Sequence, residues 1–157
     1  MPRVPAAKAA EREVQAAILA RAPLWGVVLR RQNTGAMRGA TGRLVRFGEA
    51  GAPDLAGMTG PSWGPLAGRV VAIEVKREGW KPPRPPKPGD PPSDKRRHWE
   101  RQLARLREVN ANQGYGFWAD DAKYAGDVIN LLRQGYTIEI GDDEDVVLAP
   151  PAEGEGG

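Results

Sequence analysis

Asp54, Glu74 and Lys76 are the residues whose types and spacing best suit chemistry. Asp54 follows Pro53 at the end of a glycine-rich stretch, GEAGAPD, where backbone can approach a ligand closely. Twenty positions later, Glu74 and Lys76 stand one residue apart in RVVAIEVK, residues 69–76. Successive side chains of a strand point to opposite faces, so Glu74 and Lys76 share one. Hydrolysing a phosphodiester near neutral pH requires charge neutralisation on the phosphate and an activated water. Magnesium supplies both when two or three carboxylate or carbonyl oxygens hold it and leave positions for water and substrate. An ammonium beside the metal offsets the negative charge that develops. Each fragment has a blander use: Glu-x-Lys also occurs as a surface pair, and Pro-Asp as an ordinary turn. Their order and spacing together favour the metal site, with the second carboxylate supplied by a neighbouring strand.

The elements that must position these groups are legible in the patterning. Residues 6–22 form an amphipathic helix with Val14, Ala17, Ile18 and Ala22 on one side, stopped by Pro23. WGVVLRRQ, residues 25–32, reads as a strand. Residues 33–42, NTGAMRGATG, read as a loop because glycine interrupts them too often, and residues 43–47 as a short strand. In residues 69–76, Val71, Ile73 and Val75 share one face, and Val70, Ala72, Glu74 and Lys76 the other. Residues 77–92 hold seven prolines and form an extended, partly polyproline loop. Ser93 or Asp94 caps a helix running to about residue 112, with Trp99, Leu103 and Leu106 as its apolar stripe and Gly114 ending it. Residues 115–119 are a strand, and residues 121–133 a helix with Val128, Ile129 and Leu132 inward. A weak hairpin (136–140 and 146–148) precedes a polar tail expected to be disordered. The order predicts an α/β domain with a mixed sheet flanked by helices.

Charge points the same way. Residues 139–157 carry seven acidic side chains and no Lys or Arg, which leaves 23 basic against 13 acidic residues in 1–138, about +10. Such an excess suits a polyanion, although an Arg-rich composition also produces it. There is no cysteine, which excludes disulfides, thiolate nucleophiles and cysteine-ligated zinc and suits a reducing cytoplasm. No apolar run reaches the length of a membrane span, and no apolar stretch of signal-peptide type follows the first basic residues. One histidine, His98, and two serines, Ser62 and Ser93, leave little from which to build a Ser-His-Asp triad. His98 reads as a surface residue, the tryptophans as core or loop packing, and the acidic run Asp142–Asp145 as a solvated turn.

Several segments in order resemble the VRR-NUC branch of the PD-(D/E)XK nucleases, and most closely its stand-alone, phage-type members. They are EREVQ (11–15), RQNTGA (31–36), GRLVRFGEAGAPDL (42–55), AIEVKR (72–77), and Gln102 with the helix leading into GYGFWA. The resemblance covers roughly residues 11 to 120. It implies a restriction-endonuclease-like core within residues 1–138, followed by an acidic C-terminal hairpin and tail at 139–157. It implies Asp54 and Glu74 as ligands of Mg²⁺ (or Mn²⁺), Lys76 as the catalytic lysine, Glu11 as an additional acidic residue at the metal, and Gln102 as the glutamine after the core strand. Glu13 lies about 200° round the helix from Glu11 at roughly 100° per residue, so only one can face the site; Glu11 fits the ExxVQ pattern. Arg31, Asn33, Thr34, Arg38, Arg43 and Arg46, around the glycine-rich loop, are expected to touch DNA. The resemblance further implies a homodimer that cuts branched DNA in the manner of a Holliday-junction resolvase, in the host cytoplasm if phage-encoded. The alternatives are a flap or single-strand nuclease of the same chemistry, and a DNA-binding or assembly module that no longer cuts.

Overall fold

The computed structural model describes residues 8–32, 35–38, 44–47 and 52–152, with 35–38 and 44–47 described at the backbone. RVVAIEVK is its centre. Strand β5 (Val70–Val75) is buried along its whole length, and its two faces feed two different cores. Val71, Ile73 and Val75 join Val14 and Ile18 of helix α1 (Glu11–Arg21) and Val128, Ile129 and Leu132 of helix α3 (Ala122–Arg133). Val70 and Ala72 join Trp99, Leu103, Leu106 and Val109 of helix α2 (Asp94–Ala111). The period-two pattern thus sorts the side chains of β5 as the sequence predicts, and the layers are helices, sheet, helix.

The sheet has four strands in the order β1-β4-β5-β6. Strand β1 (Val27–Arg31) runs antiparallel to β4 (Leu55–Thr59), and β4 runs antiparallel to β5. Strand β6 (Tyr115–Ala119) lies parallel to β5, and α2 makes the crossover that a parallel pair requires. Gly57 is obligatory in β4, because a Cβ there would sit 1.5 Å from the carbonyl oxygen of Val28. Helix α2 starts at the cap the sequence offers. Helix α1, expected from residue 6, starts at Glu11 without a side-chain cap, and Asp121, read as the first residue of its helix, caps α3 instead. Ser93 Oγ accepts from the Arg96 amide, and Asp121 Oδ2 from the Tyr124 amide.

Two further expectations are corrected, and one element is new. Residues 35–38 are not loop but strand β2, paired antiparallel with β3 (Leu44–Phe47); glycines weaken a strand, but a partner strand satisfies the backbone groups that local propensity leaves undecided. A short 3-10 helix at Pro61–Leu66 was not expected, and it seats Trp63 in the core. At the end of α2 the left-handed residue is Gln113 (φ 66°), one position before Gly114. Residues 77–92 form no helix or strand, as their prolines require. The hairpin β7 (Thr137–Ile140) and β8 (Val146–Ala149) packs through β7 against α2 and β6. Among the described residues no helix is long and apolar enough to cross a membrane.

Candidate active site

Asp54 precedes β4, Glu74 lies at the C-terminal end of β5, the strand paired with it, and Lys76 just past that end. Continuing the β4–β5 register by two residues would set Val75 opposite Pro53, which has no amide proton to give. The side chain of Asp54 takes over at this point: its Oδ2 accepts from the Val75 amide at 2.9 Å. That bond fixes the Asp54 carboxylate beside Glu74. The Asp54 carbonyl meanwhile accepts from the Gln32 amide, so the end of β1 is tied to the same point.

Glu74 and Lys76 share the β5 face that meets α2, and both are buried there, with 2 % and 8 % of their surfaces exposed. Gln102, also buried, reaches both from α2. Its Nε2 donates to Glu74 Oε1, and its Oε1 accepts from Lys76 Nζ at 2.8 Å. Lys76 Nζ lies 3.6 Å from Glu74 Oε1. One amide therefore holds carboxylate and ammonium in fixed relation. The other oxygen, Glu74 Oε2, is buried with no hydrogen-bond donor. Burial first, then the charge of Asp54, push the Glu74 carboxyl well above its usual range; Lys76 pulls the other way.

Glu11, in the first turn of α1, stands at the rim. It is exposed by area, yet its carboxyl is raised, by partial desolvation first and then by Asp54, against the pull of Lys76. Two bonds hold the entry to α1 against the chain just beyond Lys76: the Ala9 amide donates to Glu78 Oε2 (2.8 Å), and the Glu78 amide to the Ala9 carbonyl (3.0 Å). Among the described residues, no three His, Cys, Asp or Glu side chains close into a finished metal cage. The arrangement is a carboxylate pair with a third carboxylate near enough to be felt. The donor set fits a divalent cation, because a buried carboxylate oxygen with no donor, facing a second carboxylate, needs a proton or a cation between them.

The structure thus brings together Glu11, Asp54, Glu74, Lys76 and Gln102. Arg31, at the end of β1, is exposed, and its Nε donates to Gln15 on α1 (3.3 Å). Arg38 and Arg46 sit on β2 and β3. Asn33, Thr34 and Arg43 lie outside the described residues. His98 is exposed, as expected.

Two features escape the sequence reading. Lys76 Nζ lies 4.6 Å from the ring centre of Trp80 and 5.1 Å from that of Trp99, so aromatic faces confine the ammonium. Trp80, Trp99 and Trp118 pack edge to face in one cluster. Beneath it lies Glu144, which was expected to be solvated but is buried at the turn between β7 and β8. Arg96 grips it with two nitrogens, at 2.6 and 2.9 Å, and Trp99 Nε1 donates to it at 3.0 Å. Asp142 and Asp143 are exposed, as expected. A tryptophan four residues after the lysine is the only sequence signal for the first feature; nothing local marks the second.

Two clefts of about 390 Å³ flank Val28 on the edge strand β1, and neither is lined by these residues. No family model matches the chain, and no curated protein and no solved structure matches it. Fold and site together define a mixed α/β protein with a carboxylate–lysine cluster at the C-terminal end of its central strand.

Proposed function

We propose that this protein is a Mg²⁺- or Mn²⁺-dependent endonuclease that hydrolyses DNA phosphodiesters on a restriction-endonuclease-like core of the VRR-NUC type. The observation that carries the reading is Glu74 Oε2, buried without a donor beside Asp54, while an ammonium stands 3.6 Å from the other oxygen of the same carboxylate. Asp54 and Glu74 would hold the metal, with Glu11 at its edge. When bound, the ion neutralises the phosphate and lowers the pKa of a water. Lys76 orients the attacking water and offsets charge on the phosphate as the 3′-oxygen leaves. Gln102 keeps Lys76 and Glu74 from collapsing into a closed ion pair. The order α1, three antiparallel strands, α2 and a parallel strand is consistent with such a core, with the β2–β3 hairpin as an insertion.

By resemblance, the substrate is a branched DNA such as a four-way junction and the active form a homodimer, which would place two sites on two strands. The test is incubation of purified protein with labelled four-way junction, flap, duplex and single-stranded DNA, with and without Mg²⁺. Metal-dependent cutting of the junction is expected. Cutting confined to flap or single strand would move the substrate, and binding of DNA without any cutting would make the chain a binding module.

A further inference from the structure

The segment Lys81–Pro88 reads Lys-Pro-Pro-Arg-Pro-Pro-Lys-Pro. Every residue in it is either a proline or stands immediately before one. Proline locks its own φ, and the residue before it is driven out of the helical region into extended backbone. The whole stretch is therefore restricted to polyproline II geometry, with three residues per turn and about 3.1 Å of rise per residue. Lys81, Arg84 and Lys87 recur once per turn, so they share one face, about 9 Å apart and about 19 Å end to end. All three are exposed, and none of their side chains makes a hydrogen bond or ion pair with a described residue.

The root of this arm is pinned next to the candidate site. The Pro83 carbonyl accepts from Arg96 Nη1 at 2.9 Å, on the helix that carries Gln102. Trp80, just before the arm, lies against Trp99 at 4.8 Å and over Lys76. We propose that Lys81, Arg84 and Lys87 form a rigid cationic row that binds the phosphate backbone of the nucleic acid and aligns it with the site. The inference rests on the DNA substrate proposed above. Three cations in line with no acid among them match a regularly repeating anion, and about 19 Å is the rise of five to six base pairs. At physiological salt the screening length is about 8 Å, so the row repels itself little. Its stiffness means that little chain entropy is lost on binding. Proline-recognition domains with aromatic grooves also take such helices, but the pinned root beside Lys76 and the basic excess of residues 1–138 favour phosphate.

The experiment measures affinity for labelled duplex and single-stranded DNA by fluorescence anisotropy, without divalent metal, between 50 and 200 mM salt. The triple variant Lys81→Gln, Arg84→Gln, Lys87→Gln keeps every proline. Its log–log salt slope should flatten by about 2.7 on duplex and about 2.1 on single strand, so that across this range the wild type loses about 40-fold more duplex affinity than the variant. Exchanging neighbours, Arg84→Pro with Pro85→Arg, keeps composition and restraint but turns the middle cation by about 120°. It should flatten the slope by about 0.9. An unchanged slope in the triple variant overturns the proposal, as does a shift of binding to an aromatic-grooved proline-recognition domain with DNA affinity unaffected. An exchange variant that matches wild type overturns the in-line geometry. A wild type that binds and cuts DNA with an indifferent arm refutes the arm alone. One that binds with the expected slope losses but never cuts with Mg²⁺ supports the arm and refutes the proposed catalysis.

Discussion

A carboxylate as deeply buried as Glu74 works against its own folding. Desolvation and Asp54 raise its carboxyl, and the raised value lies in the folded state. For such a group the stabilising contribution is fully present below the unfolded carboxyl pKa and is lost as pH rises through the folded value. The metal-free protein should therefore lose stability as pH rises above the ordinary carboxylate range, and Glu11 adds to the trend. Replacing Glu74 by Gln removes the buried charge. Glu74→Gln should raise the metal-free melting temperature at pH 8, by about 2–4 °C for each kcal/mol recovered, and should abolish cleavage. A variant that melts lower at pH 8 and higher at pH 5 would reverse the sign and count against the shift. Lys76 poses the complementary question. Lys76→Ala should cut cleavage about 100- to 1,000-fold while junction affinity measured without metal stays nearly unchanged. If cutting persists, the lysine has been misassigned.

At the scale of elements, the hairpin β7–β8 is tied to α2 through one buried pair. Arg96 and Glu144 expose only 10 % of each side chain, and Trp99 and Trp118 both donate into the same turn. Removing one partner of a buried pair strands the other charge, at a cost of about 3–5 kcal/mol. Glu144→Ala should destabilise by that amount in urea unfolding, whereas the apolar double replacement Arg96→Met with Glu144→Leu should regain most of it. Equal losses in the single and double variants would show that the packing matters and the charge pair does not. In β4, Gly57→Ala places a methyl on the Val28 carbonyl, which as backbone cannot step aside. Strand β1 must then separate from β4. A loss exceeding about 4 kcal/mol, or no folded protein at all, is the expected outcome of expression and thermal melting; a near-wild-type melt would mean that the strands can slide apart cheaply.

For the whole molecule, the proposed metal site would link charge to stability. A divalent ion needs both carboxylates deprotonated, so its affinity rises with pH. Mg²⁺ at a hundredfold excess over its dissociation constant adds about 2.7 kcal/mol, roughly 5–10 °C at this chain length. Differential scanning fluorimetry should show that shift at pH 8 and little of it at pH 5, and Asp54→Asn should remove it. A Mg²⁺ shift independent of pH, or one that survives Asp54→Asn, would place the ion elsewhere.

Local physics made much of this molecule readable from the chain alone. The alternation in RVVAIEVK decided which side chains of β5 face which core; Ser93 marked the start of α2; and the prolines ruled out any element in 77–92. These outcomes depend on period, capping and fixed φ, all properties of a few consecutive residues. Strand β2 was not readable, because its glycines argue against a strand until β3 supplies the partner. Glu144 was not readable either, since a glutamate within an acidic turn is locally indistinguishable from its exposed neighbours. Its burial comes from Arg96, 48 residues away. Spacing could nominate Asp54, Glu74 and Lys76, but only tertiary packing set Gln102 between them and left Glu74 Oε2 without a donor. Whether a buried polar atom is satisfied depends on every chain segment that folds over it.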